Sequence, residues 1–178
     1  MQIEIRELTA DDVAIYWPLR LRALRDDPEA FGSSYEEEQD RSLESVTTQF
    51  QTTIGNGGFA LGAFADGRHI GVVRLIRESV LKERHIGHIY GMYVAPEARG
   101  QHVGRLLMET AIARARSVPG LEQLHLTVVT TQTPARALYR SLGFVSHGSM
   151  PHALKLPDGR YLDEDLMVLW LHDEPASE

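Results

Sequence analysis

The chain has 178 residues, with 18 Lys and Arg against 25 Asp and Glu, for a formal net charge of −7. That length suits one compact domain with a sizeable core, and 43% apolar with 24% charged residues excludes disordered, collagen-like and disulfide-stapled classes. The acidic balance speaks against a chain whose work is to neutralise nucleic-acid phosphates, and the lack of any cysteine excludes disulfides, thiolate metal sites and a covalent cysteine intermediate.

Met1 to Glu7 alternates apolar and charged residues, without the continuous apolar stretch of a signal peptide. No segment approaches the roughly 18 apolar residues that span a bilayer, so a cytoplasmic protein with no membrane partner is expected. Ile3, Ile5 and Leu8 form a short half-buried strand that ends at Thr9-Ala10-Asp11-Asp12, a helix start with early acids. Val13, Trp17, Leu21 and Leu24 then mark a helix in which Pro18 is the expected place for a kink or split. Phe31 to Gln39, with Glu36-Glu37-Glu38, has no period and reads as a loop or a first helical turn. A second helix is expected from Ser42 to about Thr53, ending at Gly55-Asn56-Gly57-Gly58.

Phe59 to Ala65 is apolar on both faces, as a central strand is, and Asp66-Gly67 signals a two-residue hairpin into Ile70 to Ile76. The next strand, His85 to Val94, puts Ile86, His88, Tyr90, Met92 and Val94 on one face, and Gly87 and Gly91 on the other imply a bulge or a close approach. After Pro96 the period changes, and Val103, Leu107, Met108, Ala111, Ile112 and Ala115 share a helix face that stops before Pro119-Gly120. Leu124, Leu126 and Val128 mark a strand, Pro134 to Leu142 a helix stopped by Gly143, and Phe144 onward and Leu162 to Leu171 two closing strands around Pro157-Asp158-Gly159. The order β-α-α-β-β-β-α-β-α-β-β is that of an α/β mixed sheet with helices on both faces. A single domain over 1–172 and a frayed tail over 173–178 are expected.

Arg99-Gly100-Gln101-His102-Val103-Gly104 joins a strand to a helix start, where free backbone N–H groups and the helix dipole favour an anion. Arg99 to Arg116 holds four arginines and one acid, and Gln132 to His147 two arginines and no acid, a basic island in an acidic chain. The P-loop Lys-Ser/Thr pair and the G-x-G-x-x-G fingerprint are both missing.

Val94 to Leu107, followed some thirty residues later by Ala135-Arg136-Ala137-Leu138-Tyr139-Arg140-Ser141-Leu142-Gly143-Phe144, resembles the GNAT superfamily of acyl-CoA-dependent N-acetyltransferases over nearly the whole chain. The family's Q/R-x-x-G-x-G/A motif falls on Arg99 to Gly104, and N-x-x-A-x-x-x-Y falls on Gln132 to Tyr139, with Ala135 between. The resemblance implies a mostly antiparallel sheet of about seven strands in which two parallel strands, here ending at Val94 and Val129, splay to admit acetyl-CoA as the acyl donor, with no metal. It also implies that the backbone of Met92 and Val94 holds the pantetheine arm. The amides from Gln101 through His102 and Val103 to Gly104, with Gly100 and the Arg99 side chain, would hold the pyrophosphate. His102 stands where glycine is usual and Gln132 where asparagine is common, which puts both contacts in question.

Direct attack in a ternary complex needs a neutral amine, whereas a free alkyl ammonium has a pKa near ~10.4. A backbone N–H near Met92 or Tyr93 is the expected oxyanion donor, and Tyr139 the expected general acid for the thiolate. The base stays open. Where many family members carry glutamate this chain has Tyr90, with His88 on the same face, and Glu78, His125, Asp163 and Glu164 are more remote candidates, as is a base acting through ordered water. Asp163-Glu164-Asp165 and Glu36 to Glu38 either draw a cationic acceptor or are a solvated strand edge. The amine belongs to a small molecule or, as alternatives, to a protein N-terminus or lysine, and a non-catalytic acyl-CoA-binding module is the third reading. Dimers are common in the family the chain resembles, so a homodimer is a candidate assembly, though no patch in the sequence argues for one.

Overall fold

The computed structural model of the protein describes residues 2–172, so the tail from Asp173 to Glu178 lies outside the described residues. β1 (Ile3–Glu7) leads through a 3-10 turn into α1 (Val13–Asp26). Among its buried residues, Val13, Tyr16, Trp17, Arg20, Ala23 and Leu24 recur at helical spacing and form one stripe. Pro18 does not split the helix as its position suggests. It removes one N–H that Ala14's carbonyl would accept, but both residues face solvent, where water serves that carbonyl. α2 is a single turn (Tyr35–Glu38) held by a capping box between Ser34 and Glu37, and α3 (Leu43–Gly55) starts behind Ser42, whose hydroxyl accepts from the Ser45 N–H.

β2 (Phe59–Ala65) is buried throughout and turns at Asp66 and Gly67, both at positive φ, into β3 (Arg68–Arg77). β4 (Ile86–Val94), α4 (Val103–Arg116), β5 (Gln123–Val129), α5 (Thr133–Ser141), β6 (Val145–Lys155) and β7 (Tyr161–Trp170) complete the order. The sheet runs β1-β2-β3-β4-β5-β7-β6. α4 and α5 cover one face, where Val103, Leu107, Met108 and Tyr139 meet Leu61, Val73, Leu75 and Met167. α1 and α3 cover the other, where Tyr16, Trp17, Val46 and Phe50 meet Ala60, Phe64, Val72 and Tyr93. Edge strand β6 is mostly exposed, and its register against β7 breaks twice, between Ser146 and Gly148 and between Met150 and Leu154. No helix among the described residues is long and apolar enough to cross a membrane.

Two irregularities shape the centre of the sheet. β4 and β5 run parallel and pair only from Ile86 to His88, opposite Gln123 to His125, after which they part. On its other side β4 bulges: Val72 faces Tyr93 and Arg74 faces Tyr90, which leaves Gly91 and Met92 without partners on β3, with Gly91 at φ 61°. The extra residue corrects the face expected for this strand. His88 and Tyr90 stay on the α1 side, whereas Met92 and Val94 cross to join Ile89 in the core under α4. Gly87 takes no part in the bulge; a Cβ there would press on Leu75, Leu121 and Leu124 at 3.3–3.4 Å, so its reason is close packing.

Candidate active site

Where β4 and β5 part, a cleft of about 1040 Å3 opens, at the upper end of the roughly 300–1,000 Å3 usual for small-molecule sites. Ile89, Met92 and Val94 of β4, Leu126 and Val128 of β5, and Ala135, Leu138 and Tyr139 of α5 give it apolar walls.

One end of the cleft is the loop before α4. Gly100 and His102 both have positive φ, 75° and 62°, and the helix makes its first bond from the Leu106 N–H to the His102 carbonyl at 3.0 Å. The amides from Gly100 to Arg105 donate to no acceptor among the described residues. Clustered free N–H groups at the positive end of a helix dipole fit a diphosphate, the group that the expected acyl donor would bring. His102 keeps the left-handed conformation natural to glycine. Gly100, Val103 and Gly104 line the cleft with it, but Gln101 does not; its side-chain amide donates outward to the Glu97 carbonyl at 3.3 Å.

The arginines depart from expectation. Arg99 lines the cleft, yet its Nε donates to the Val94 carbonyl at 2.9 Å and its Nη2 to Asp27. Its main work is to fasten the end of α1 to the end of β4. Arg136 donates to the Thr130 carbonyl and to Asp165 at 3.1 Å, and Arg140 lies 3.6 Å from the same carboxylate. Burial alone would raise the Asp165 carboxyl; Ser146, Arg136 and Arg140 hold it below the usual carboxylate range. Much of the basic island is thus paired within the chain, which leaves the loop amides before α4 as the groups free to meet an anion.

Tyr139 is 7% exposed, edge-on to Phe144, and faces the cleft. Burial pushes its phenol up to about 12, so it holds its proton at neutral pH. Gln132 and Ala135 also line the cleft. The Tyr93 hydroxyl is turned away, donating to Asp26 at 2.7 Å, and burial raises its pKa. The bulge puts the Gly91 and Met92 backbone, without register partners on β3, on the cleft wall.

The base candidates divide. Tyr90 lines the cleft; His88 does not. His88 sits at the closed end of the strand pair, 3.0 Å from Glu78 and stacked on Tyr90, in a row of imidazoles with His125 and His147. Burial, then the neighbouring histidines, lower His125, which makes it a poor proton acceptor there. Glu164 of β7 does line the cleft, and burial raises its carboxyl.

Two residues were not singled out by sequence. Arg20 and Arg74 line the cleft beyond Gly91, with Phe31 and Ser33. Their signal was available: an arginine in the apolar stripe of α1, and another within the apolar run of β3.

The model of the Acetyltransferase (GNAT) family matches residues 20–144. The mycothiol acetyltransferase of Saccharomonospora viridis is 35% identical over 91 residues, which are 49% of this chain and only 29% of that protein. A GNAT-family acetyltransferase from Streptococcus pneumoniae has a TM-score of 0.87 at 25% identity, covering 95% of this chain and 99% of its own. A GNAT superfamily phosphinothricin acetyltransferase from Sinorhizobium meliloti, in complex with AcCoA, has a TM-score of 0.84 at 24% identity, over 100% of this chain and 93% of its own. The fold, the parted strands and the family match lead to one conclusion: this chain belongs to the GNAT family of acetyltransferases.

Proposed function

We propose that the protein is an N-acetyltransferase that moves an acetyl group from acetyl-CoA to the primary amine of a small molecule in a ternary complex, as a single cytoplasmic domain over residues 1–172. The observation that carries this reading is the cleft between β4 and β5 with unpaired amides at the start of α4. The AcCoA complex of the similar Sinorhizobium meliloti fold supports acetyl-CoA as donor. The acceptors in the relatives' names differ, mycothiol in one and phosphinothricin in another, so the acceptor must be argued from this chain.

Acetyl-CoA supplies a thioester. The loop amides from Gly100 to Arg105 hold its diphosphate, and the free edge of β4 from Met92 to Val94 holds the extended arm. We assign the Gly91–Met92 backbone N–H groups to the carbonyl oxygen as it gains charge. Tyr139, protonated at neutral pH, gives its proton to the departing thiolate. Glu164, whose raised carboxyl faces the cleft, takes the proton of the attacking amine directly or through water.

The test is CoA release, followed with a thiol reagent across amino acids, polyamines, aminoglycosides and short peptides; the chain has no cysteine to add background. Amine-dependent release is expected from small amines. Release with peptides alone would make it a protein acetyltransferase, and acetyl-CoA binding without release would reduce it to a binding module.

A further inference from the structure

We propose that Arg20 and Arg74 form a carboxylate-binding subsite at the acceptor end of the cleft, so that the amine this protein acetylates is itself an acid, an α-amino acid or a close analogue. The inference rests on the transferase reading above and names its substrate class.

Arg20 is 6% exposed, and its Nη1 is buried without a hydrogen-bond partner. Neither Arg20 nor Arg74 makes a hydrogen bond or ion pair with any described residue; what they touch is aromatic, Arg20 over the Phe31 ring at 5.0 Å and Arg74 over Tyr16 at 6.0 Å. The two guanidinium groups meet at the bulge. A Cβ at Gly91 would lie 3.6 Å from Arg74 Nε and 3.9 Å from Arg20 Nη1, so glycine keeps open the space they share with the cleft. Both also border a small recess of about 110 Å3.

A buried charge without a partner is costly. The nearby acids are otherwise engaged: Glu38 holds Arg41 at 3.0 Å, Asp27 holds Arg99, Asp26 accepts from Tyr93, and Glu37 caps Ser34. Burial, with Arg74 beside it, lowers the Arg20 pKa despite the opposing influence of Tyr16 and Glu38, neither of which hydrogen-bonds to it. A carboxylate supplies that counter-ion with the planar fit that guanidinium favours. Two cations beside the acceptor also favour the neutral amine that attack requires. Of the acidic run that was a candidate to draw a cationic acceptor, Arg136 holds Asp165 and the His152 N–H holds Asp163 at 2.7 Å, which leaves Glu164 alone at the cleft, in the role of base.

The experiment compares kcat/KM for the proteinogenic amino acids with that for their decarboxylated amines and carboxamides, with spermidine as polyamine, alongside acetyl-CoA binding by calorimetry. At least one acid should exceed its amine and amide about ten-fold or more. Arg74→Gln should raise KM for that acid about ten-fold, keep KM for acetyl-CoA within about two-fold and erase the preference, with Arg74→Lys between. Arg20→Met, which removes a buried charge without cutting an internal bond, should raise the same KM. Acids no better than amines, turnover confined to spermidine, unchanged KM in the variants, or acetyl-CoA binding with no acid turned over would each overturn the subsite. Failure to bind acetyl-CoA would overturn the transferase reading, and this inference with it.

Discussion

Tyr139 faces the cleft with its phenol pushed up to about 12 by burial, and no described residue takes its proton. Tyr139→Phe is expected to lower kcat by about 100-fold with little change in KM for acetyl-CoA; an unchanged kcat in steady-state assays would remove the acid role. Since the phenol titrates only near 12, the wild-type rate should hold through mildly alkaline pH and fall only as that value is approached. His102 sits at φ 62°. His102→Gly relieves left-handed strain of about 1–2 kcal/mol, partly offset by the greater freedom of glycine in the unfolded chain. Acetyl-CoA affinity should stay within about three-fold by calorimetry, whereas a ten-fold loss would make the imidazole a ligand group. At this scale the loop and Tyr139 were legible because they lie in short contiguous motifs. Arg20 and Arg74 come from separate elements, and no local pattern shows that neither has an acid beside it.

The β4 bulge is the element on which the site turns. Gly91→Val places a β-branched residue at φ 61°, a conformation that costs about 1–3 kcal/mol, and fills the gap before Arg74. A lowered denaturation midpoint and a raised acceptor KM are expected together; loss of stability with both KM values unchanged would detach the bulge from the site. Element order was legible from period changes, since helical and strand spacings alternate cleanly along the chain. The exposed side of Pro18 was not, and the single-turn α2 was one of two open readings, which the capping box of Ser34 and Glu37 decides. The face of β4 was misjudged past Tyr90 because counting by twos cannot see one inserted residue.

Over the whole molecule, distant segments are joined by charge. Arg22 grips Glu97 with two bonds of 2.7 Å, Arg99 holds Asp27, and Tyr93 holds Asp26, so the last turn of α1 is tied to the junction of β4 and α4. Arg6 and the Thr9 N–H likewise hold Asp12 at 2.7–2.9 Å, fixing β1 to the start of α1. The Arg6 hydrogen bond lowers the Asp12 carboxyl from 3.8 to about 2. The folded state therefore binds this proton less readily than the unfolded one. The stabilisation is complete above about pH 4 and is lost as pH falls towards 2. Asp12→Asn should lower the melting temperature at pH 7 and flatten its decline between those values; an unchanged acid limb in thermal melts would remove this pair from the acid response.

The two register breaks in β6 have a consequence for how molecules meet. An outer strand of 11 residues is long enough to act as a template on which a second chain could build. Interrupted between Ser146 and Gly148, and again between Met150 and Leu154, it bends out of the plane a straight neighbour would need, and so denies a growing filament its first rung.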